Sequence, residues 1–577
     1  MSGSAAVAVR RTSYPQVDPR AAGLAHPAVV LAPARVTVAD ALRLAERRRA
    51  RLVAARVGRG WAGATRETLA HARGLGVGDA PLAAVLWDTV LLPPDTPEIA
   101  VRRRLGPDRP FVLVAGPRGI AGAVFREPSG PAGLPLSVAA RLERLDARPR
   151  EILRTAGALG DALDLPVAAV GGLVRDLLLG RSEARTDLDL VVEGSAARVA
   201  HELARSLSGR AVEHAAFLTA TVALPDGRRI DLTTARRESY RAPGALPAVE
   251  PASIADDLAR RDFSLNALAI RLDQRDWGRV VDTTGGLHDL RARRIRVLHP
   301  CSFLEDPTRI LRAARLGVRL GCRIDGTTRR LAVQAAQLDA YRALSGDRLR
   351  AELDLILAER RPAAALREAG RLGARRLFGP ATRPAGSAPS DGRAARLLEA
   401  ALAPAALEPL GPDAPLALAL LALAGGDARA NAWASRLALP PAVGEGIRQA
   451  RRDAPGLLAR LARAGEPAAA FRVVERAPEL TLAWARSLAG AGRAGRHLDA
   501  HLRRWRRQAP LATGDDLAAL GLSPGPAMGA LLRELRAAQA AGRVRSRAGA
   551  LRWLRGAVAQ GRERGDASLT RPGKGGG

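Results

Sequence analysis

The sequence predicts a multidomain chain in which α/β regions come first and an all-α region follows. The chain has 577 residues, which is enough for about three or four domains of ordinary size. Short apolar runs that suit buried strands alternate with helical segments through roughly the first half. Beyond residue 300, alanine, leucine and arginine dominate with helical periodicity, which favours packed helices.

The charge balance favours a polyanionic partner. The formal net charge is +32 and the pI is about 11.6, and phosphate contacts supply most non-specific affinity for nucleic acids. The alternative is a GC-rich genome, because Lys574 is the only lysine among many arginines. The aromatic content of 3% argues against a base-stacking platform as the main binding device.

Composition also bears on the cellular compartment. No apolar run approaches the roughly 20 residues of a membrane span, so we expect no membrane partner. The first residues lack a long apolar segment and a cleavage site, which predicts no signal peptide. The chain has only two cysteines, Cys301 and Cys322, and this favours a reducing cytoplasm.

Two similar halves follow an N-terminal extension over residues 1–25. They fill residues 26–128, and each has a helical stretch followed by an apolar strand and a glycine-containing segment. The apolar strands are Leu52–Val57 and Phe111–Ala115. This order resembles a tandem CBS-domain pair, a module that in many proteins holds adenosine ligands between its halves.

The resemblance implies where ribose contacts would come from, a Thr or Ser and an Asp near the end of each half. The first half has Thr65 and Glu67, whereas the second has Val124 and Arg126, which match neither position. We therefore expect a degenerate CBS-like pair, for which a structural or RNA-contacting role competes with nucleotide sensing. Because CBS modules often pair between chains, a homodimer through this pair is a further prediction.

A linker over residues 129–138 leads to the most informative part of the chain. An apolar run ending at Val170 predicts a buried strand, and the next residues predict a helix. Between them, Gly171 and Gly172 remove Cβ atoms where the backbone must approach a ligand, and a helix start offers free N–H groups to an anion. Arg175 follows on the helix, so the segment predicts a phosphate site.

Paired carboxylates come next. The run Thr186–Val192 predicts a strand, whose period of two puts Asp187 and Asp189 on one face. Two carboxylates on one face suit hard divalent cations, and a phosphate site beside them indicates nucleotidyl transfer. Asp231, in the second strand of a hairpin turning at Asp226-Gly227, would be a third carboxylate or else an exposed strand aspartate.

Two later segments combine acids with arginines. The run RRDFSLNALA (260–269) predicts an apolar helix whose arginines, aspartate and asparagine suit a phosphate and a ribose hydroxyl, the alternative being a solvated first turn. A loop over Glu238–Pro247 precedes it. The second segment predicts a helix with acids in its first turn and arginines every three residues, the alternatives being dipole capping and a solvated charge stripe. Its charged residues are Glu305, Asp306, Arg309, Arg312 and Arg315.

Together these residues carry a family resemblance. The motifs VGGLVRDLLLG…DLDLVV, RRDFSLNALA, VVDTTGGLHDL and LEDPTRILRAAR occur in the order seen in class II tRNA nucleotidyltransferases and bacterial poly(A) polymerases. The resemblance covers residues 167–357, and the CBS-like pair ahead of it is similar to a long bacterial subgroup that adds A or CCA to tRNA. It implies a catalytic head with a small mixed β-sheet, then helices that bind RNA. The expected ranges are 139–300 for the head, 301–378 for a helical neck, 379–392 for a loop, 393–560 for a helical body and 561–577 for a disordered tail.

The resemblance also implies roles for the residues. Asp187 and Asp189 would hold two Mg²⁺ ions, with Asp231 helping to bind the first ion or to orient the attacking hydroxyl. The nucleotide would be bound by the glycines and charged side chains of the later motifs. Gly171 would shape the loop, Gly172 and Arg175 would contact the triphosphate, Arg261 and Asp262 would contact ribose or phosphate, Asp306 and Arg309 of the Glu305-Asp306-x-x-Arg309 arrangement would bind the base, and Arg312 and Arg315 would lie near the nucleotide.

The predicted function is addition of CCA, or of the terminal A, to tRNA 3′ ends from CTP and ATP. The Glu238–Pro247 loop resembles the flexible loop associated with terminal A addition, which disfavours a purely CC-adding enzyme. Poly(A) addition to RNA is the first alternative, because closely similar residues occur in poly(A) polymerases. A non-catalytic RNA-binding or adenylate-sensing regulator is the second, and the Asp187/Asp189 pair argues against it.

Overall fold

The computed structural model describes most of the chain. The described residues are 20–117, 119–127, 136–181, 188–338, 343–378, 391–402, 410–424 and 426–563, with side chains omitted for 391–395 and 561–563. The chain divides into two compact units, residues 1–348 with 368–377 and residues 349–367 with 378–577. Each unit is described below by itself.

The N-terminal module, residues 20–127, repeats one plan twice. Its elements are α1 (Ala21–Leu24), β1 (Val29–Leu31), α2 (Val38–Arg47), β2 (Leu52–Val57), β3 (Gly60–Thr65), α3 (Arg66–Gly74), β4 (Trp87–Thr89), β5 (Leu91–Leu92), α4 (Glu98–Arg104), β6 (Phe111–Gly116) and β7 (Gly119–Phe125). In each half a short strand pairs in parallel with the first strand of an antiparallel hairpin, β1 with β2 and β5 with β6. The two similar halves that the sequence predicts are therefore present. Thr65 caps α3 by accepting the Thr68 N–H, and its predicted ribose contact stays a prediction.

The head of the first unit is built on one mixed sheet. Its elements are α5 (Ala139–Leu142), α6 (Ala147–Leu163), β8 (Val167–Val170), α7 (Gly171–Leu178), β9 (Leu188–Val192), α8 (Ala196–Ser206), β10 (Arg210–His214), β11 (Thr219–Ala223), β12 (Arg229–Thr234), β13 (Arg236–Ser239), β14 (Ala248–Pro251), α9 (Ile254–Ala259), β15 (Ala269–Arg271), β16 (Val280–Val281), α10 (Gly286–Arg291) and β17 (Arg294–Ile295). The seven-stranded sheet has the order β10-β11-β12-β9-β8-β15-β16. Strand β8 is fully buried, as its apolar sequence predicts.

Two head segments differ from the sequence predictions. The run 260–269 is not a helix, because α9 ends at Ala259 and a 3-10 turn and a strand follow. Asp262 accepts the N–H of Phe263, and such local side-chain bonds compete with helical ones. The predicted loop over Glu238–Pro247 begins inside β13, since Glu238 pairs with Val249 of β14.

The helices that follow the head begin with another departure. The predicted helix with acids in its first turn is two helices, α11 (Ser302–Glu305) and α12 (Thr308–Leu320). Pro307 lacks an N–H donor and restricts the residue before it to extended backbone, so the helix breaks there. Asp306 has that extended conformation, with φ −135° and ψ 95°. Glu305 therefore ends one helix, and Asp306 lies between the two.

The remaining elements are helical apart from one short strand. They are β18 (Arg323–Ile324), α13 (Gly326–Gln337), α14 (Gly346–Leu357), α15 (Pro362–Arg371) and then, within the described part of the second unit, Asp391–Ala401, Ala414–Leu423, Asp427–Arg436, Pro441–Arg463, Pro467–Val474, Glu479–Leu488, Arg493–Arg503, Gly514–Ala519, Pro526–Ala540 and Arg547–Glu563. A helical region after the head is therefore confirmed, and strand β18 is the departure from the all-α expectation. The predicted loop over residues 379–392 lies mostly outside the described residues, and its last two residues are helical. The predicted disordered tail also lies outside them from residue 564 onward. None of the described helices has the length and apolar character that a membrane crossing needs.

Candidate nucleotide and metal site

Two carboxylates lie side by side on neighbouring strands of the head. Strands β9 and β12 are parallel, and their register puts Asp231 directly beside Asp189. Paired residues of adjacent strands project from the same face of a sheet, so the two side chains share a face. Thr221 of β11 donates a hydrogen bond to Asp231 Oδ1 at 2.7 Å. Asp231 thus lies where the sequence predicts it, whereas Asp187 lies outside the described residues.

The start of α7 lies against one of these carboxylates, that of Asp189. Gly171 has φ +72°, a left-handed conformation that side chains rarely adopt. A Cβ atom there would lie 2.9 Å from Asp189 Oδ2, so only glycine fits. At Gly172 a Cβ would meet Arg175 Nη2 at 3.7 Å, an ordinary contact. Packing within the protein therefore requires glycine at position 171 and not at position 172, and the approach to a ligand at both glycines stays a prediction.

A chain of polar contacts runs from α7 to α12. Arg175 is 5% exposed, and its Nε and Nη2 donate to both oxygens of Asp176 at 2.9 and 3.0 Å. Its Nη1 donates to Asn266 Oδ1 at 3.0 Å, and Asn266 Nδ2 donates to Asp262 Oδ1 at 3.1 Å. Arg312 Nη1 lies 3.4 Å from Asp262 Oδ2. The structure therefore joins three predicted site residues, Arg175, Asp262 and Arg312, through Asn266.

A buried carboxylate holds the arginine pair before Asp262. Both Arg260 and Arg261 contact the fully buried Asp257, Arg260 through Oδ1 at 2.5 Å and Arg261 through Oδ2 at 2.8 Å. Burial acts to raise the pKa of Asp257, but the charges of Arg261 and Arg260 outweigh it and lower the pKa. One edge of the Arg261 guanidinium is thus fixed to the protein.

Glu305 is the centre of a second cluster. Its side chain is 7% exposed, and His71 Nε2 lies 2.8 Å from Oε1 while His299 Nε2 lies 3.3 Å from Oε2. Arg309 Nη1 lies 3.5 Å from the same Oε2 and donates to Ser302 Oγ at 2.7 Å. Burial would raise the pKa of Glu305, but the two histidines and the arginine hold it far below its usual range.

Asp306 faces a different set of groups. Its Oδ1 accepts hydrogen bonds from the Thr308 N–H at 3.1 Å and the Thr308 hydroxyl at 2.6 Å. Arg348 Nη2 lies 2.9 Å from that oxygen, and Arg348 Nη1 donates to the carbonyl of Gly244 at 2.7 Å. The Gly244 N–H donates to the Glu305 carbonyl at 3.1 Å. These contacts connect the tip of the β13–β14 hairpin to Glu305 and Asp306. The predicted site residue Arg315 lies half-buried two turns further along α12.

A cavity of about 410 Å³ opens beside Glu305. It is lined by α3 of the N-terminal module, by β13 and α9 of the head and by residues 299–301. Tyr240 lines it as well, and burial raises the pKa of that phenol. Charges of both signs line this cavity, so it differs from a site built for a polyanion.

The sequence did not predict several contacts of these clusters, and it did not identify His71, His299 and Arg348 as their members. Asn266 was visible in the motif with Asp262, yet its bridging role depends on α7 lying beside it. His71 is 234 residues from Glu305 along the chain, and no local pattern marks their contact. His299 and Arg348 are likewise recognised only through the acids that they contact.

The donor chemistry of the strand pair fits a divalent cation. Asp189 and Asp231 offer carboxylate oxygens, the ligands that hard cations prefer. Among the residues whose placement is described, no group of three or more His, Cys, Asp or Glu side chains has metal-binding geometry. Asp187, which forms the predicted metal-binding pair with Asp189, is outside that set.

Comparison with known proteins gives matches over the head and beyond it. Residues 167–296 match the family described as the Poly A polymerase head domain. An A-adding tRNA nucleotidyltransferase of Geobacter sulfurreducens is 44% identical over 229 residues, which are 40% of this chain and only 26% of that relative's length. A CC-adding tRNA nucleotidyltransferase of Deinococcus radiodurans is 37% identical over 388 residues, 66% of this chain and 87% of the relative. A solved structure of the Thermotoga maritima CCA-adding enzyme complexed with tRNA has a TM-score of 0.59 and 30% identity, covering 74% of this chain and 100% of that one.

Proposed function

Because this chain belongs to the class II tRNA nucleotidyltransferase family, we propose that it adds CCA, or the terminal A, to tRNA 3′ ends without a template. The substrates would be CTP and ATP, and the partner would be a tRNA with an incomplete 3′ end. The observation that carries this proposal is the placement of Asp189 and Asp231 on one sheet face, with the start of α7 against Asp189.

We propose that the described residues bind and orient the substrates for such a transfer. The N–H groups at the start of α7 would bind the triphosphate, because a helix N-terminus attracts anions. The chain from Arg175 through Asn266 and Asp262 to Arg312 would hold that site in register with α12. Arg261 would use the edge that faces away from Asp257 to contact the ribose or a phosphate.

We assign base recognition to Asp306 and Arg309. Arg309 is held from three sides by Glu305, by Ser302 and by the Arg260 carbonyl at 3.1 Å. A guanidinium fixed in this way loses little freedom when it binds a base edge, and preorganisation of that kind strengthens binding. Asp306 would exchange its contact with Arg348 for a donor on the base.

The family generally uses divalent metal ions, and we propose Mg²⁺ held by Asp187 and Asp189 with help from Asp231. Bound there, the ions would make the RNA 3′-hydroxyl a better nucleophile and neutralise the leaving pyrophosphate. Asp231 would orient the hydroxyl, and its own carboxylate is oriented by Thr221. This hydroxyl attacks the α-phosphorus of the nucleotide, and pyrophosphate leaves.

The first experiment tests the chemistry. We expect D187A and D189A to abolish incorporation of labelled nucleotide into tRNA, while tRNA affinity stays within a few-fold of the unmodified chain. Asp95 is exposed on a loop of the N-terminal module, so D95A is the matched aspartate control and keeps full activity. Turnover by D187A or D189A with Mg²⁺ present would contradict the metal assignment.

The second experiment determines the product. The substrates are a tRNA lacking CCA, a tRNA ending in CC and an unstructured RNA, each with CTP, ATP or both. Our proposal expects A on the tRNA ending in CC, with or without prior C addition to the shorter tRNA. Addition of C alone would indicate the activity for which the Deinococcus relative is named. Long A tails on the unstructured RNA would favour poly(A) addition instead. Release of no pyrophosphate on any RNA would favour a non-catalytic RNA-binding or adenylate-sensing regulator.

For the N-terminal module we propose a degenerate CBS-like pair that joins two chains into a homodimer. The repeated order of elements and strand pairings supports the resemblance. Light scattering of the full chain at micromolar concentration tests the dimer, and a monomeric mass would exclude it. A cytoplasmic location is also proposed, from the tRNA substrate.

A further inference from the structure

The N-terminal module contacts the rest of the first unit through charged pairs at separate places. They are Asp108 with Arg294 at 3.1 Å, Asp88 with Arg330 at 2.7 Å and His71 with Glu305 at 2.8 Å. The first two lead to Arg294 of β17 and Arg330 of α13, neither of which is a proposed nucleotide contact. The third leads directly to the acid that precedes Asp306.

The two carboxylate oxygens of Glu305 contact different parts of the chain, one the N-terminal module and the other the residues around Arg309, which we propose bind the base. Oε1 faces His71, and Oε2 faces His299 and Arg309. Because the carboxylate is 7% exposed, it depends on these groups rather than on water for its hydrogen bonds. The hydrogen bond to Glu305 raises the pKa of His71, which favours a doubly protonated ring that donates to the carboxylate.

Loss of the His71 donor would change how the Glu305 carboxylate holds the Arg309 guanidinium. A buried carboxylate left with an unsatisfied oxygen turns toward its remaining partners or admits water. Either change alters the side of Arg309 that Glu305 fixes, although Ser302 and the Arg260 carbonyl remain in place. The position of the Arg309 fork therefore depends on a residue of α3, far away in sequence.

We propose that His71 is a positioning residue for nucleotide binding, through which the N-terminal module holds Glu305 and thereby Arg309 in the base-recognising arrangement. This inference rests on the function proposed above. It makes the module part of the nucleotide site, in addition to any structural role. It predicts that loss of His71 weakens the binding of CTP and ATP and leaves the binding of the RNA substrate unaffected.

The test compares three variants of the full-length chain: H71A, H71Q and D88A. Glutamine can place an N–H donor where His71 Nε2 lies, so H71Q keeps the hydrogen bond without the ring. D88A removes a contact of the same module with α13 and leaves Glu305 untouched. Since 45% of the His71 side chain is exposed, we expect H71A to fold, which its melting curve checks.

The measured quantities are the KM for CTP and ATP at saturating tRNA, the KM for tRNA, and kcat. We expect H71A to raise the nucleotide KM about tenfold, because a hydrogen bond to a charged buried group has that effect on an equilibrium. The KM for tRNA should stay within about twofold, and H71Q should recover most of the loss. D88A should leave the nucleotide KM unchanged.

Three results would overturn the inference. They are an unchanged nucleotide KM in H71A, no recovery in H71Q, or an equal rise in D88A, which would indicate a general interface effect. Direct titration of the unmodified chain and H71A with Mg·ATP separates this inference from the proposed function. If the unmodified chain incorporates no nucleotide, the proposed function fails. The titration still decides the role of His71: a lower affinity of H71A for Mg·ATP supports it, and equal affinities of the two proteins contradict it.

Discussion

A Cβ atom on Gly171 would lie 2.9 Å from Oδ2 of Asp189, closer than such atoms approach in real structures. The two residues belong to neighbouring elements, since Val170 at the end of β8 pairs with Asp189 of β9. The helix start that would bind a phosphate and the carboxylate that would bind a cation are therefore in van der Waals contact. The two features are thus adjacent in the fold, as the proposed site requires.

We expect G171A to lower nucleotide incorporation by at least about 100-fold, because the new methyl group displaces Asp189 and the φ of +72° disfavours alanine. Gly227 is the matched control. It has φ +82° in the β11–β12 turn, and a Cβ there would meet nothing within 4 Å. G227A should cost about 1–2 kcal/mol of stability and retain activity. Equal activity losses in the two variants would mean that backbone strain, and not the contact with Asp189, explains the effect.

Asn266 bridges Arg175 and Asp262, and N266A removes the hydrogen bonds to both residues. We expect the KM for CTP and ATP to rise about tenfold or more, since the polar chain between α7 and α12 is broken. Asn431 provides the control, because it is a surface asparagine of the second unit that contacts Arg448 at 3.3 Å. Steady-state kinetics of N266A and N431A measure the KM for CTP and ATP. The same KM values in both variants would mean that Asn266 has no role in nucleotide binding.

Asp231 and Thr221 permit a graded test of the third carboxylate. D231N should lower kcat by about 100-fold, because the amide cannot replace a charged oxygen near a cation. T221V should lower it by less than about tenfold, because it removes only the 2.7 Å hydrogen bond that orients Asp231. Single-turnover rates at several Mg²⁺ concentrations measure both effects. Activity of D231N close to that of the unmodified chain would make Asp231 an ordinary strand aspartate.

Asp257 predicts a pH-dependent contribution to stability. Its pKa is lowered in the folded chain because Arg261 and Arg260 outweigh burial, so its charged form stabilises the fold. A carboxyl group of this kind contributes fully above its unfolded pKa of about 3.9, and the contribution is lost as the pH falls through the lower folded value. The unfolding free energy of D257N should thus lie below that of the unmodified chain by a constant amount above about pH 5.

The gap between D257N and the unmodified chain should then narrow below about pH 4. Urea unfolding at intervals from pH 7 to pH 3 measures it. A gap that keeps the same size throughout this range would mean that the charge of Asp257 does not matter and that only its hydrogen-bond geometry does.

Local patterns were sufficient for much of the head. The apolar run ending at Val170, the turn at Asp226-Gly227 and the strand containing Asp231 are found as predicted, because burial and turn chemistry act over a few residues. The helix predicted over residues 260–269 was wrong for a related reason. Its apolar residues suit a helix, but Phe263 pairs with Val297 in a bridge that the local pattern does not reveal.

The sequence by itself determined the family, the order of the elements and the residue types of the site, since these follow from motifs and from short-range periodicity. The tertiary structure alone decided which residues lie against each other: Asp189 with Gly171, Arg175 with Asp262 through Asn266, and Glu305 with His71. The physical reason is that hydrogen bonds and ion pairs act over a few ångströms in space, whereas these partners are separated by tens to hundreds of residues along the chain.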